Sequence, residues 1–478
     1  MRNGILCLIL LSVILEISPG QSLTWSAEQS ITMNAPGTTT RPRLIALGNE
    51  RGILIWGHEQ DQSIHYAIWE NEILSTPRIL DIGPRKAFIT SWASTEIAGK
   101  DNLVYVVFKE DPAETGKIYL MRSMDYGETF TPAIPVVDPN GFYCRFPGVA
   151  IDADLQPIVS YMRFQTDWSQ PEYVSIRSED FGNTFDPYTQ VTDKNKGEAC
   201  DCCPVAMETD ENRIAVFYRN NRNNIRNMTA AVSFNNGKSY DIVTELDTAN
   251  WNLLSCPSTG GDGFFADSFL HTTWISGRTG TAKAYYSRLN LNTQKVDGFY
   301  ALTHNQGRNF QQTYPRMAGY NDTVGIVWGE LINSMDVLFT HFTNGNYNDL
   351  SLNTQRINTG INGNQGSPDV AFANSRFYVC WQDLNDYSIK FKIGKYKTTN
   401  TLTSVHKNED IRITPVTEGY IIQSVRFMKK VTLYNLSGQQ ILQKENTTEV
   451  HFDRLPVGMY HLVVLHENGV FTYPLVRI

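Results

Sequence analysis

Three stretches repeat one pattern: S-M-D-Y-G-E-T-F from Ser123 to Phe130, S-E-D-F-G-N-T-F from Ser178 to Phe185, and S-F-N-N-G-K-S-Y from Ser233 to Tyr240. Their acidic or amide residues, Asp125, Asp180 and Asn235, follow one another at a constant 55 residues. A fixed period of this size marks like supersecondary units set side by side. The pattern itself encodes a tight hairpin. A short Asp or Asn side chain bonds nearby backbone, Gly takes positive φ, and the closing Phe or Tyr is expected to plug the turn into the core between units.

The rest of the chain repeats more loosely around these boxes. Each unit opens on a strand marked by proline: Arg41-Pro42, Phe146-Pro147, Cys203-Pro204, Cys256-Pro257, Tyr314-Pro315 and Ser367-Pro368, with a Pro-less opening near Ala87. An apolar second strand follows in each, Gly52 to Trp56 in the first unit and Phe377 to Trp381 in the last. Seven units of four short strands make an all-β β-propeller; six blades is the alternative count. The last unit, ending near Lys397, lacks a fourth strand, which Leu23 to Thr32 is expected to supply, closing the ring. No helical periodicity persists long enough to oppose this reading.

The boxes resemble the Asp box of the sialidase and BNR-repeat superfamily, S-x-D-x-G-x-T-[WF]. The resemblance implies a glycan-directed propeller in which the boxes are scaffold, so Asp125, Asp180 and Asn235 receive no catalytic role. Sialidases have six blades and use an arginine triad, a tyrosine nucleophile with a glutamate partner, and an aspartate acid/base. This chain departs from that set. Arg41 is next to its proline, where the family's first arginine stands two before it. Glu208 and Arg219 have a spacing similar to that of the family's glutamate and second arginine, whereas Tyr285 and Tyr286 fall on a third strand.

At 478 residues the chain holds one large domain and a smaller one, and 12% aromatic content suits an all-β protein. A net charge of −8 without a basic stripe excludes nucleic acid as a partner, but leaves room for an acidic glycan held by local arginines. Residues 1–20 read as a signal peptide, with Arg2, an apolar core from Ile5 to Ile17, and small Ser18 and Gly20. No later run reaches transmembrane length. The propeller is then 21–397, followed by a linker over 398–410. Residues 411–478 resemble the C-terminal sorting domain of the type IX secretion system of Bacteroidetes, a small Ig-like β-sandwich, through Tyr434-Asn435, Ser437-Gly438, Leu455 and Gly458-Met459-Tyr460. That resemblance implies recognition by the type IX machinery, export through the periplasm and outer membrane, and a secreted or cell-surface protein.

Opposite the boxes, the loops entering the first strand and leaving the second are expected to surround a central funnel. Arg163, Arg219, His58 and Glu59, Lys109 and Glu110, Arg278, Glu330, Gln382 and Asp383 end the second strands; Arg41, Arg43, Tyr143, Arg145, Tyr314 and Arg316 enter the first. Arginines in such number suit carboxylate or sulfate recognition, because guanidinium forks bind these groups bidentately. Candidate catalytic residues are Arg145, Arg163, Arg219, Arg316, Tyr143, Tyr314, His58 and Glu208. Two reactions stay open: sialidase-type hydrolysis, and β-elimination on a uronate, for which Arg neutralises the carboxylate and Tyr or His moves the C5 proton. A non-catalytic glycan- or protein-binding propeller is the alternative.

Six cysteines follow the leader. Cys380, in V-C-W, reads as a buried thiol. Cys200, Cys202 and Cys203 precede the fourth unit; Cys256 and Cys144 stand near equivalent positions one unit either side, so five thiols are expected in one sector. Disulfides, Cys203–Cys256 first, compete with a structural zinc held by Cys200, Cys202, Cys203 and Cys256, and with a redox role.

Overall fold

The computed structural model describes residues 23–32, 38–48, 50–192, 194, 197–255, 257–303, 310–343, 350, 353–360, 363–396, 411–416, 419–435, 440–456, 458–466 and 469–477. The expected leader, the linker and Cys256 lie outside the described residues. The chain divides into two units, one up to Tyr396 and one from Lys397.

Among the described residues the first unit holds seven antiparallel sheets, built from strands near one another in the chain except in the last, whose outer edge comes from residues 23–31. Blade 3 shows the plan: Tyr143–Ile151, Pro157–Phe164, Glu172–Arg177 and Thr189–Gln190 pair in succession. The second strands are runs such as Ile53 to Trp56, buried on both faces, because each blade is sandwiched between two neighbours. The first strands of successive blades touch one another all the way round, Thr39–Ala46 meeting Gln365–Ala373, so they wall the axis. The count is seven, not six.

The ring closes as the sequence predicts. Leu23–Trp25 and Gln29–Ile31 both pair with Ser388–Tyr396, giving blade 7 its outer strand. Ser26 ties the junction, donating its N–H to the Ile393 carbonyl and accepting the Ile393 N–H on Oγ. Trp25 meets Phe339 of blade 6 in a T-shaped contact, with ring centres 5.0 Å apart.

The three boxes share one wiring. Ser178 Oγ donates to Asp180 Oδ1 and accepts the Gly182 N–H, while Thr184 N–H and Oγ1 donate to the same carboxylate. These bonds hold Asp180 down at about 2. Gly182 sits at φ +86, where a side chain is strained. The plug is observed: Tyr240 is buried, and its hydroxyl donates to Ser175 Oγ of the preceding blade at 2.9 Å.

The proline-marked openings are more than strand starts. In four blades the first strand carries a bulge there, with register shifts between Thr40 and Arg43, Arg145 and Gly148, Thr313 and Arg316, and Gly366 and Asp369. The residue before proline takes positive φ in each: Arg41 (49°), Phe146 (51°), Tyr314 (48°) and Ser367 (45°). Left-handed backbone is costly for such residues, and a following proline disfavours it further.

Among its described residues the second unit has five strands around an apolar core of Ile422, Met428, Leu433, Val450, Phe452, Leu462 and Val464, among others. Its long strand Gly419–Asn435 pairs with Ile411–Val416 through its first half and with Gly458–His466 through its second.

Deleting residues 1–32 should open blade 7 and expose the edge of Ser388–Tyr396. Losing the burial of Leu23, Trp25 and Ile31 costs several kcal/mol, which for a domain of this size is on the order of 10 °C in thermal midpoint. Differential scanning calorimetry of the truncated chain checks this; an unchanged midpoint refutes the closure as a stabilising element.

Candidate functional site at the propeller axis

The bulges decide which side chains face the axis. Arg43, Gly148, Arg316 and Asp369, where the pairing register resumes after each bulge, line an axial cavity of about 270 Å³ together with Glu96, Glu208 and Asp262 from the other first strands. Above it is a mouth of about 20 Å³ among Arg41, Arg43, Tyr314, Arg316, Thr259 and Ser367. Three guanidiniums and a phenol thus converge at the top of the channel, with four carboxyls below.

The charges are wired in a definite order. Arg43 Nε donates to Glu96 Oε2 at 2.9 Å, and Arg41 reaches the same carboxylate at 4.0 Å. Arg316 stands 3.5 Å from Asp262 and 3.7 Å from Asp369. Asp262 Oδ2 accepts the Met317 N–H, and Asp369 Oδ2 the Leu44 N–H. Burial alone would raise Glu96, yet Arg43, Arg316 and Arg41 together hold it below its usual range. Asp262 goes the other way: burial outweighs Arg316 and lifts it to about 6. Burial, reinforced by Asp262 and opposed by Arg316, pushes Glu208 well above the ordinary glutamate range. Arg41 has the least comfortable charge, drawn down to about 9 by burial and by the like charges of Arg43 and Arg316, against the pull of Glu96. Its guanidinium lies 5.9 Å from the centre of the Tyr314 ring, and its Nε has no hydrogen-bond partner among the described residues.

Of the residues the sequence singles out, the axis gathers Arg316, Tyr314 and Glu208, with Arg41 and Arg43. The rest are placed elsewhere. The second strands lie one layer out from the channel, so the charges at their ends do not converge. Arg219 is fully buried and donates to the carbonyls of Arg226 (2.8 Å) and Ile275 (3.0 Å), with Trp251 beneath it; it ties blade 4 to blade 5 and is closed to a ligand. Arg163 pairs with Glu172 at 3.3 Å between the rings of Phe142 and Tyr188. Arg145 stacks on Trp168 at 3.8 Å, and Tyr143 packs against the same indole, forming an aromatic step on the rim of blade 3. His58 is buried in the first hairpin of blade 1, its Nδ1 2.7 Å from Asp61 Oδ1, beside His65. Glu96, Asp262 and Asp369 are absent from the sequence reading. A usable signal exists for one of them: Ser367-Pro368-Asp369 aligns with Arg41-Pro42-Arg43 and Tyr314-Pro315-Arg316, and the residue after the proline faces the axis in each.

The cysteines also depart from expectation. Cys144 is a free, buried thiol whose sulfur faces the Gly116 carbonyl, apart from the others; burial raises it to about 11. Cys380 is free and buried, as expected. Cys203 is a free thiol, so the Cys203–Cys256 pairing is not formed. Cys202 is disulfide-bonded. Cys200, Cys202 and Cys203 bring their sulfurs within 4.8 Å of one another, close enough to share an ion. The donor set argues against zinc. A sulfur in a disulfide is not a thiolate ligand, and Arg226 Nη1, 2.8 Å from Cys200 Sγ, already supplies the cation.

No protein-family model matches the chain, and no curated protein matches it. Among solved structures, a protein of unknown function from Dyadobacter fermentans aligns at 12% identity over 79% of this chain and 100% of that one, with a TM-score of 0.46. The sialidase of Trypanosoma rangeli in complex with the inhibitor DANA aligns at 8% over 92% and 84%, TM-score 0.44. An ulvan lyase of a new polysaccharide lyase family, bound to -[GlcA(1-4)Rha3S]-, aligns at 9% over 76% and 95%, TM-score 0.48. None of these likenesses bears on the activity of this chain.

The Asp262 carboxyl gives a test of the axial electrostatics. Its folded-state value stands above the ordinary aspartate range, so the fold binds the proton more tightly than the unfolded chain and stability falls as pH rises from about 4 to about 6. Asp262→Asn keeps the acceptor for Met317 N–H and should remove that component, on the order of 2–3 kcal/mol between pH 4 and pH 7. Urea unfolding of both proteins at the two pH values checks it; parallel pH profiles contradict the assignment.

Proposed function

We propose that the chain is a carbohydrate-active propeller whose axial mouth takes the anionic substituent of an acidic glycan, a carboxylate or a sulfate. The observation that carries this reading is the convergence of Arg41, Arg43 and Arg316 beside Tyr314 at a mouth of about 20 Å³. That space admits a substituent and not a sugar ring, so the glycan lies across the face with its charged group turned into the arginines. Guanidinium forks match such oxyanions in geometry and charge.

Of the two reactions, β-elimination fits the residues better. A sialidase-type site needs a tyrosine paired with a carboxylate. Among the described residues, three of the four axial carboxyls are engaged by arginines and backbone amides instead: Glu96 by Arg43, Asp262 by Arg316 and Met317, Asp369 by Arg316 and Leu44. In a lyase the arginines neutralise the uronate carboxylate, which acidifies the C5 proton, and the Tyr314 phenol is the group in reach to move it. Export through the type IX machinery, on the evidence of the tail motifs, would bring this site to polysaccharide outside the cell.

The deciding experiment incubates the protein with uronate polysaccharides and sialosides while following reducing ends and the ultraviolet absorbance of an unsaturated uronate. Both signals together on a uronate polymer support the reading; reducing ends alone mean hydrolysis, and glycan retention with neither signal means a binding propeller. Arg41→Gln should weaken turnover or binding by 10–100-fold, the worth of one charge-assisted contact. The same change removes a like charge from Arg43 and Arg316, so the thermal midpoint should hold or rise. Activity lost together with stability would mean that Arg41 is structural.

A further inference from the structure

The cysteine cluster of blade 4 is built for chemistry that the axial site does not use. Cys200 and Cys203, separated by two residues, are both fully buried, with their sulfurs 3.5 Å apart and the Cys203 N–H 3.3 Å from the Cys200 carbonyl. Cys200 Sγ is also 3.5 Å from the sulfur of Cys202, which is half-buried and holds a disulfide. Cys200 N–H donates to the Arg219 carbonyl, and the Tyr173 hydroxyl donates to the Cys203 carbonyl at 2.7 Å, so the loop is pinned from both sides. Arg226 is fixed too, its Nε on the Leu253 carbonyl at 3.0 Å and its Nη1 on Cys200 Sγ at 2.8 Å. A guanidinium so placed has two counter-ions in reach, the exposed Asp201 carboxylate at 3.8 Å and the Cys200 sulfur. The hydrogen bond from Cys203, then Arg226 and Arg219, overcome burial and bring Cys200 down to about 6, whereas burial keeps the proton on Cys203. An ionised nucleophile, a disulfide sulfur within van der Waals reach and a protonated second thiol are the parts that thiol–disulfide exchange requires.

We propose that Cys200, Cys202 and Cys203 form a thiol–disulfide exchange centre in which the bond held by Cys202 passes to the Cys200–Cys203 pair. The Cys200 thiolate attacks Cys202 Sγ; a Cys200–Cys202 bond forms, the bond from Cys202 to its partner breaks, and the partner sulfur leaves as a thiolate that takes up a proton. Cys203 then gives up its proton and attacks Cys200 Sγ, a Cys200–Cys203 bond forms, and Cys202 leaves as a thiolate that is protonated in turn. One disulfide and two thiols exist before and after, so no external oxidant enters. The buried pair stores the bond, and Cys202 is the outlet through which an external thiol or disulfide exchanges with it.

The test uses the whole protein under native conditions without reductant. It is incubated with iodoacetamide, quenched in acid and mapped by mass spectrometry of non-reduced peptides. The expected product carries alkyl groups on Cys202 and on its released former partner together with a Cys200–Cys203 disulfide, because alkylation of the released thiols draws the exchange forward. Cys203→Ser should leave Cys202 unlabelled and Cys200→Ser should prevent both changes, with thermal midpoints confirming that each variant is folded. If a variant fails to fold, the wild-type map decides alone. The proposal is overturned if Cys202 keeps its original partner throughout, or if Cys200 and Cys203 themselves become alkylated, which is the signature of global opening.

Discussion

Everything in the propeller depends on a strand borrowed from the far end of the chain. Blade 7 has three strands of its own, and Leu23–Trp25 with Gln29–Ile31 complete it across more than 350 residues of sequence. Without that closure Ser388–Tyr396 is a sheet edge with unpaired amides and carbonyls, and the apolar contacts of blade 7 with blades 6 and 1 lose one wall. Closure also fixes the diameter of the inner ring. The first strands are held in contact round the axis, and the side chains they turn inward have nowhere to spread.

That constraint explains how the chain keeps so many charges in so small a volume. Isolated buried ions are costly, and the axis places three arginines among four carboxyls at distances set by the backbone. The bulges at Arg41, Tyr314 and Ser367 do the aiming: a left-handed residue before proline shifts the register and turns Arg43, Arg316 and Asp369 to the channel. Strain repeated at equivalent positions around one mouth is maintained by the ring and serves the site it shapes. The balance is left incomplete on the side of the mouth, where Arg41 shares a carboxylate with Arg43 and its Nε has no hydrogen-bond partner among the described residues.

The fold was legible because propellers write themselves in local chemistry. The Asp boxes, the apolar second strands and even the closing segment from Leu23 are read from hydrogen-bonding side chains and β-branched runs. The site was legible only in part. Arg316, Tyr314 and Glu208 were named, but Arg163, Arg219 and His58 were drawn to the axis by analogy between loops, when the second strand is one layer removed from it. Nothing local distinguishes an arginine that spans two blades through carbonyls, as Arg219 does, from one that awaits a ligand. The axial carboxyls Glu96 and Asp262 sit on strands without the bulge signal, so their inward direction is a property of the assembled ring.

The two clusters of the molecule solve the same electrostatic problem in opposite ways. In blade 4 the anions belong to the protein: Arg226 lies against Cys200 Sγ, whose proton affinity it lowers, and 3.8 Å from the Asp201 carboxylate. At the axis the cations are only partly compensated, since burial raises the proton affinity of Glu208 and lifts Asp262 to about 6. Each proton taken up below the mouth leaves the arginines less compensated. An anion from outside therefore completes a network that the fold has left short of negative charge, and a rigid ring pays no reorganisation cost to receive it.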